Sequence, residues 1–235
     1  MASAIPTGSS TPCSRDRAPS VYTRYVLTAS IRAQALAGVN GARAGIAREQ
    51  LVFLLQLAYS GELAATRAYL GHRRSLADRT ERAELGKIVR DEIRHRHCVL
   101  AQLAELGARP IPARERKMTR VGTSIAIFCR VGGWFFPMYG AGRLEAQNIR
   151  EYEAAARLAL VAELRHFVDP LLEMAEVEWD HERYFRAKAS SHPLWRTVPR
   201  WPAPPPRDAI RATFATFERG SERPVDVVRA PWLVR

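Results

Sequence analysis

Apolar residues recur every three or four positions along four stretches of the chain, the spacing that gathers side chains on one face of an α-helix. The first stretch runs over 47–76, where Leu51, Leu55, Ala58, Glu62, Ala65 and Tyr69 share a face. Asp78 or Thr80 can cap the second, which carries Glu81 and Glu84 in its first turn and closes at Gly107 before Pro110. Its inward stripe is Leu85, Ile88, Glu92, His95, Val99 and Leu106. A basic, Pro-containing connection over 110–119 is long enough to cross the end of a bundle. The third helix is expected to begin near Val121, to be interrupted at Gly132 and Gly133 or at Pro137, and to continue to about Arg165. Its stripe reads Met138, Ala141, Glu145, Ile149, Tyr152 and Ala156. Asp169, with Pro170 in the first helical position, predicts the start of a fourth helix whose stripe is Leu171, Met174, Glu178, His181 and Phe185. No stretch has the period-two alternation of a strand, so the pattern predicts an all-α four-helix bundle over 46–190.

The flanks read differently. Residues 1–45 mix Ser, Thr, Pro, Gly and Arg with no sustained period beyond a short helical stretch over 24–37, and residues 191–235 are rich in Pro, Trp and Arg. Both are expected to be poorly ordered extensions. The formal net charge of +12 belongs to them: 1–48 contributes +5, 183–235 contributes +7, and the predicted bundle between is neutral. A polycationic end attracts phosphate through charge alone, so composition does not make the bundle a nucleic-acid or lipid binder. Cys13, Cys98 and Cys129 are too few and too far apart for a disulfide framework or a Cys-x-x-Cys metal knuckle. The longest apolar run, 124–142, is broken by Arg130, the two glycines and Pro137, which argues against a membrane span. Two locations stay open: cytoplasmic, with peripheral contact to a membrane, or mitochondrial, the acid-poor, Arg- and Ser-containing first 45 residues being a cleaved presequence.

What changes the picture is that each apolar stripe contains a glutamate. A carboxylate buried charged and alone costs several kcal/mol, so each needs a partner. The second and fourth helices add a histidine one turn beyond, as Glu92-x-x-His95 and Glu178-x-x-His181, while the first and third supply Glu62 and Glu145. Two glutamates and two Glu-x-x-His pairs projecting into a bundle are the ligand set of ferritin-like di-iron and di-manganese proteins. Four carboxylates neutralise two divalent ions, and imidazole nitrogens suit iron. The fold class expected is therefore a ferritin-like four-helix bundle holding two Fe ions, with Mn as the alternative. Asp91 and Asp180 are candidate partners for the second ring nitrogen of a ligating histidine. Tyr69 and Tyr152 lie two turns from Glu62 and Glu145 and are placed to hydrogen-bond a ligand or to pack in the core. His97, Glu151, Glu153, Glu173, Glu176 and Glu182 fall off the stripes and are expected at the surface.

The segment Gly61-Glu62-Leu63-Ala64-Ala65-Thr66-Arg67-Ala68-Tyr69-Leu70-Gly71 resembles the first ligand helix of the demethoxyubiquinone hydroxylases, ferritin-like di-iron monooxygenases of ubiquinone biosynthesis. Glu92-x-x-His95, Arg109-Pro110, Glu145 with Tyr152, and Glu178-x-x-His181 are similar to the corresponding parts of that family, over roughly residues 45–188. The chain departs from it in its Pro-, Trp- and Arg-rich end and in the charged Arg143 and Arg150 beside Glu145. The resemblance implies an O2-dependent monooxygenase that draws on an electron donor and hydroxylates a lipophilic, ubiquinone-precursor-like substrate. The apolar, glycine-containing segment 125–138 is the expected substrate approach or membrane-surface element, with Trp134, Phe135 and Phe136 as interfacial anchors, the alternative being a bent core helix. Three other functions stay open from the residues: a ferritin- or rubrerythrin-like iron oxidiser, a tRNA-modifying di-iron hydroxylase favoured by the basic ends, and a metal-stabilised interaction module without turnover.

Overall fold

A computed structural model describes the backbone of residues 21–131 and 133–221 and the side chains from residue 41 to 220. Residues 1–20, Cys13 among them, lie outside the described residues. Six α-helices and no strand occur among those residues: α1 (Val21–Ser75), α2 (Arg79–Glu105), α3 (Pro112–Val131), α4 (Phe135–Val161), α5 (Val168–Ser190) and α6 (Arg207–Ser221). The chain divides into two compact units, 1–42 and 43–235. The first contributes the beginning of α1, which contains the helical stretch expected over 24–37.

Cross-helix contacts fix the directions. Tyr69 of α1 meets Glu145 of α4 and Tyr152 of α4 meets Glu62 of α1, so these two helices run antiparallel. His95 of α2 meets Glu178 of α5 and Glu81 meets Lys188, which makes that pair antiparallel as well. α1 leads into α2 and α4 into α5 through short turns, giving an up, down, down, up order whose middle step needs a long crossover. α3 is that crossover. It runs parallel to α1, with Arg114 donating to Ser60, Gly122 against Ala64 and Ala126 against Gly71. A Cβ on Gly122 would stand 2.6 Å from the Ala64 carbonyl oxygen, and one on Gly71 2.2 Å from the Ala126 Cβ, so both glycines are needed for the two backbones to approach. One long crossover between helices two and three of the bundle is the ferritin-like connectivity.

The expected stripes form the core. Every residue of the second, third and fourth stripes is buried, as are Leu51, Leu55, Glu62, Ala65 and Tyr69 of the first. Asp78 caps α2 by accepting from the Glu81 backbone N–H at 2.8 Å. Its end is a Schellman turn, with Gly107 at φ 70° and the N–H groups of Gly107 and Ala108 returned to the carbonyls of Ala104 and Leu103. α4 ends in the same way, except that Glu163 takes the left-handed position at φ 62°.

Three expectations about boundaries are corrected. The connection between helices is shorter than 110–119, because Pro112 already starts α3, proline being tolerated in a first turn. Asp169 does not cap the fourth helix. A 3-10 turn, Arg165–Phe167, runs directly into α5, and Asp169 sits in the first turn accepting from Arg211 at 3.0 Å. The C-terminal segment is packed, not loose, as far as Ser221. Ile210 and Phe214 of α6 are buried in the main core, and Trp201 is buried beside Gly142 and Phe185. Two of its arginines are used internally: Arg211 and Arg207 pair with Glu176, Arg207 also with Asp180. Because that segment covers one face of α5, Glu176 and Glu182, expected at the surface, are buried.

Two backbone positions yield stability predictions. A Cβ on Gly142 would lie 2.6 Å from the Trp201 ring and 3.2 Å from the Phe185 Cβ; Gly142→Ala is expected to destabilise by about 1–3 kcal/mol through overpacking. Glu163→Gly relieves a left-handed backbone and is expected to stabilise by about 1 kcal/mol. Urea denaturation of the two variants beside the wild type checks both signs.

Candidate metal centre

The four bundle helices deliver their polar stripe residues to one level. Glu62 of α1, Glu92 and His95 of α2, Glu145 of α4, and Glu178 and His181 of α5 are each no more than 4% exposed. They form two overlapping quartets, Glu62, Glu92, His95 and Glu178, and Glu92, Glu145, Glu178 and His181, in each of which the candidate ligand atoms lie within 4.8 Å of one another. Glu92 and Glu178 belong to both. Each quartet adds one further glutamate and one histidine, so the group can hold a metal ion at either of two adjacent positions with two carboxylates between them.

The hydrogen bonding fits that division. His95 Nδ1 lies 3.0 Å from Glu178 Oε1, and His181 Nδ1 lies 3.3 Å from Glu178 Oε2 and 3.3 Å from Glu92 Oε1, so both rings turn the same nitrogen inward. The Glu92 contact lacks hydrogen-bond geometry, and neither Glu92 oxygen has a hydrogen-bond partner; Glu62 Oε2 is orphaned as well. Buried carboxylate oxygens without donors fit a cation in the space they face. The donor set, four carboxylates and two imidazoles, suits a pair of divalent ions such as iron or manganese.

The two tyrosines cross the bundle. The Tyr69 hydroxyl donates to Glu145 and the Tyr152 hydroxyl to Glu62, each tyrosine serving the glutamate of the opposite helix. Asn148, one turn beyond Glu145 and missed in the sequence, donates to Glu145 Oε2 at 2.8 Å. Its signal was a polar amide three residues from a stripe glutamate. Asp91 Oδ2 stands 3.4 Å from His181 Nε2, and that histidine holds its carboxyl below the usual range. Asp180 does not reach a ligand: it is exposed and pairs with Arg207 at 3.4 Å. His95 Nε2 is left without a partner, because the residue before Glu178 is Val177 where the residue before Glu92 is Asp91. His97 is exposed, as its position predicts.

Two cavities flank the centre along α1, α3 and α4. The larger, about 440 Å³, has an almost wholly apolar wall that includes Ala65, Tyr69, Ile125, Phe128 and Phe136. The smaller, about 290 Å³, reaches Glu62, Asn148 and Tyr152. Both touch Gly61, Met118 and Leu144. Of the three aromatic residues expected at substrate approach, only Phe136 lines a cavity. Phe135 is buried in the core, stacked on Tyr139 and His192, and Trp134 packs edge-on against His192. Comparison with protein-family models, with curated proteins and with solved structures finds no match to the chain.

Removal from water sets the protonation of the metal-free centre. Burial, then the charges of Glu178 and Glu145, raises the Glu92 carboxyl to about 7, and burial followed by the nearest glutamate raises Glu62 and Glu145 well above the ordinary value. Glu178 is raised too, again mainly by burial. Burial lowers His95; it also opposes the charged form of His181, but the carboxylates that face its ring, Asp91, Glu178 and Glu92, outweigh it and push that histidine up. A carboxyl whose folded pKa exceeds its unfolded one binds more protons in the native state, so its contribution is complete below the ordinary value and is lost as pH rises through the folded value. In chelator, the melting temperature is therefore expected to fall from about pH 5 to about pH 8, and saturating Mn(II) to reduce or reverse the fall because cations replace the protons. Thermal melts across that range, with and without Mn(II), check this; a flat chelated profile contradicts it.

Proposed function

We propose that the chain is a di-iron, O2-dependent monooxygenase that hydroxylates a lipophilic substrate, as its resemblance to the demethoxyubiquinone hydroxylases implies. The observation that carries this reading is the pair of quartets sharing Glu92 and Glu178, set against an apolar cavity that reaches Tyr69. A ferrous pair supplies, when bound, the electrons and open coordination positions that activate O2. In the overall reaction one oxygen atom enters a substrate C–H bond to give C–OH, and the other leaves as water with two electrons and two protons from a separate reductant.

The protein's own contribution is placement. Glu62, His95, Glu145 and His181 would each serve one of two metal ions, and Glu92 and Glu178, common to both quartets, would serve either. Phenol donors from Tyr69 and Tyr152 favour the ionised form of Glu145 and Glu62 and fix their rotamers. Asp91 accepts from His181 Nε2 and so keeps Nδ1 free to ligate. The alkyl and aromatic wall of the cavity excludes water and favours a lipophilic ring over a polar substrate. Its size and lining favour an organic substrate over oxidation of iron alone.

Access from a membrane surface fits the same side. Ile125, Phe128 and Phe136, which line this cavity, are exposed large hydrophobics, as are Ile127 and Val131 on α3, and Arg116, Lys117, Arg120 and Arg130 are exposed on the same helix. Apolar residues beside cations are what shallow contact with an anionic lipid surface uses. Among the described residues no helix is long and apolar enough to cross a membrane.

Protein purified from iron-supplemented cells is expected to contain about two irons per chain, and the double variant Glu92→Ala, His95→Ala to contain almost none. With a reductant and quinone precursors under 18O2, mass spectrometry should find one labelled oxygen in the product. Iron uptake without any oxidised organic product would favour an iron-oxidising protein, and failure of both iron and manganese to bind a folded chain would remove the metal reading.

A further inference from the structure

His72 lies one turn beyond Tyr69 on α1 and forms part of the wall of the larger cavity. It is 2% exposed, yet neither Nδ1 nor Nε2 has a hydrogen-bond partner. Burial lowers its pKa against the weaker upward pull of Glu81, so the ring is neutral and offers one N–H donor and one acceptor nitrogen. Leaving a buried polar atom unpaired is unfavourable, and His72 carries two. The other polar groups of the wall do not compete for a ligand. The Tyr69 hydroxyl is committed to Glu145, and burial pushes the Cys129 thiol up to about 11, which leaves it protonated and a weak donor. The remaining side chains named in this wall are apolar or glycine.

A cavity of about 440 Å³ is within the range of small-molecule sites, which are mostly apolar with a few placed polar groups. We infer that His72 is the polar anchor of this cavity: it hydrogen-bonds the hydroxyl or carbonyl oxygen of a lipophilic aromatic or quinonoid ligand and thereby orients the ring against Tyr69. One helical turn, about 5 Å, separates the two side chains along α1. A ring held at His72 therefore lies beside the tyrosine that is bonded to the Glu145 carboxylate. His72 acts as a positioning residue that selects for an oxygen-bearing ring. The inference deepens the hydroxylase reading by naming how the substrate is held, and it rests on that reading only for the ligand's chemical fate.

The test uses full-length protein without reductant and two probes of similar size, 1-naphthol and 1-methylnaphthalene, with binding followed by fluorescence. The wild type is expected to prefer 1-naphthol by about tenfold, the value of one hydrogen bond. His72→Leu should abolish that preference while still binding 1-methylnaphthalene, and His72→Gln, which keeps a donor and an acceptor, should restore it. Ile125→Trp, which fills the cavity, should weaken both probes. Without ligand, His72→Leu should melt no lower than the wild type, since it removes two unpaired buried atoms; a purely structural histidine would give a lower melting temperature and no change in probe preference. Equal binding of the two probes by the wild type, no binding of either, or a preference that survives in His72→Leu overturns the proposal. Probe preference together with no labelled product from the reductant and 18O2 assay would leave the anchor standing and remove the hydroxylase reading; labelled product formed equally well by His72→Leu would do the reverse.

Discussion

Four glutamate carboxylates at one level of a helical core are the constraint on which the rest of this molecule depends. A domain of this size is stable by about 5–15 kcal/mol, and a few uncompensated buried charges would consume all of it. Protons or cations must answer them. The raised carboxyl pKa values describe the proton solution. The surrounding donors describe the other. Tyr69, Tyr152 and Asn148 all donate to carboxylate oxygens, an arrangement that lowers the cost of the ionised form, while the oxygens of Glu92 accept from nothing. Glu62 and Glu145 face phenol or amide donors, Glu178 faces both histidine rings, and Glu92 has no hydrogen-bond donor, so the shared position at Glu92 is where positive charge is most needed.

The bundle has an approximate internal symmetry in its chemistry. Glu62 with Tyr69 and Glu145 with Tyr152 repeat the same two-turn spacing on antiparallel helices, and each tyrosine reaches the other helix's glutamate. Glu92-x-x-His95 and Glu178-x-x-His181 repeat on the second antiparallel pair. The symmetry breaks at two points. Asp91 supports His181 but Val177 offers nothing to His95. α3 covers the α1 and α4 side and leaves cavities beneath it, whereas the C-terminal segment packs against α5. The two candidate metal positions are therefore inequivalent in both hydrogen bonding and access.

The closed side has its own polar core. Glu182 is fully buried and accepts from Trp201 Nε1 at 2.7 Å and from Arg186 Nε at 2.6 Å, and the Arg186 guanidinium lies 4.6 Å from the Trp201 ring centroid. Arg186 also donates to the Pro202 carbonyl at 3.0 Å. A charged pair and an indole thus tie an irregular, proline-rich stretch to α5, and Trp179 adds a hydrogen bond to the Pro205 carbonyl at 2.7 Å. Four of the cations that the sequence concentrates after residue 182, Arg186, Lys188, Arg207 and Arg211, pair with the bundle's own acids.

Helical period, stripe composition and ligand spacing were legible in the sequence because they are properties of one helix at a time. A glutamate placed in the middle of an apolar stripe must end up buried, whatever the partner helix is, and all six candidate ligands are. Capping by Asp78 and the turn at Gly107 were equally local. Properties that need two elements at once emerge only when the helices pack. Which tyrosine serves which glutamate follows from the antiparallel pairing of α1 with α4, and the fate of Asp91 and Asp180 from which neighbour each faces. Glu176 and Glu182 looked like surface charges because the segment that buries them is distant in sequence and lacks any period. The same holds for His72: on its own helix it is one more basic residue near a C-terminal end, and it becomes an unpaired imidazole in an apolar wall only because α3 crosses over Gly71 and shuts it away from water.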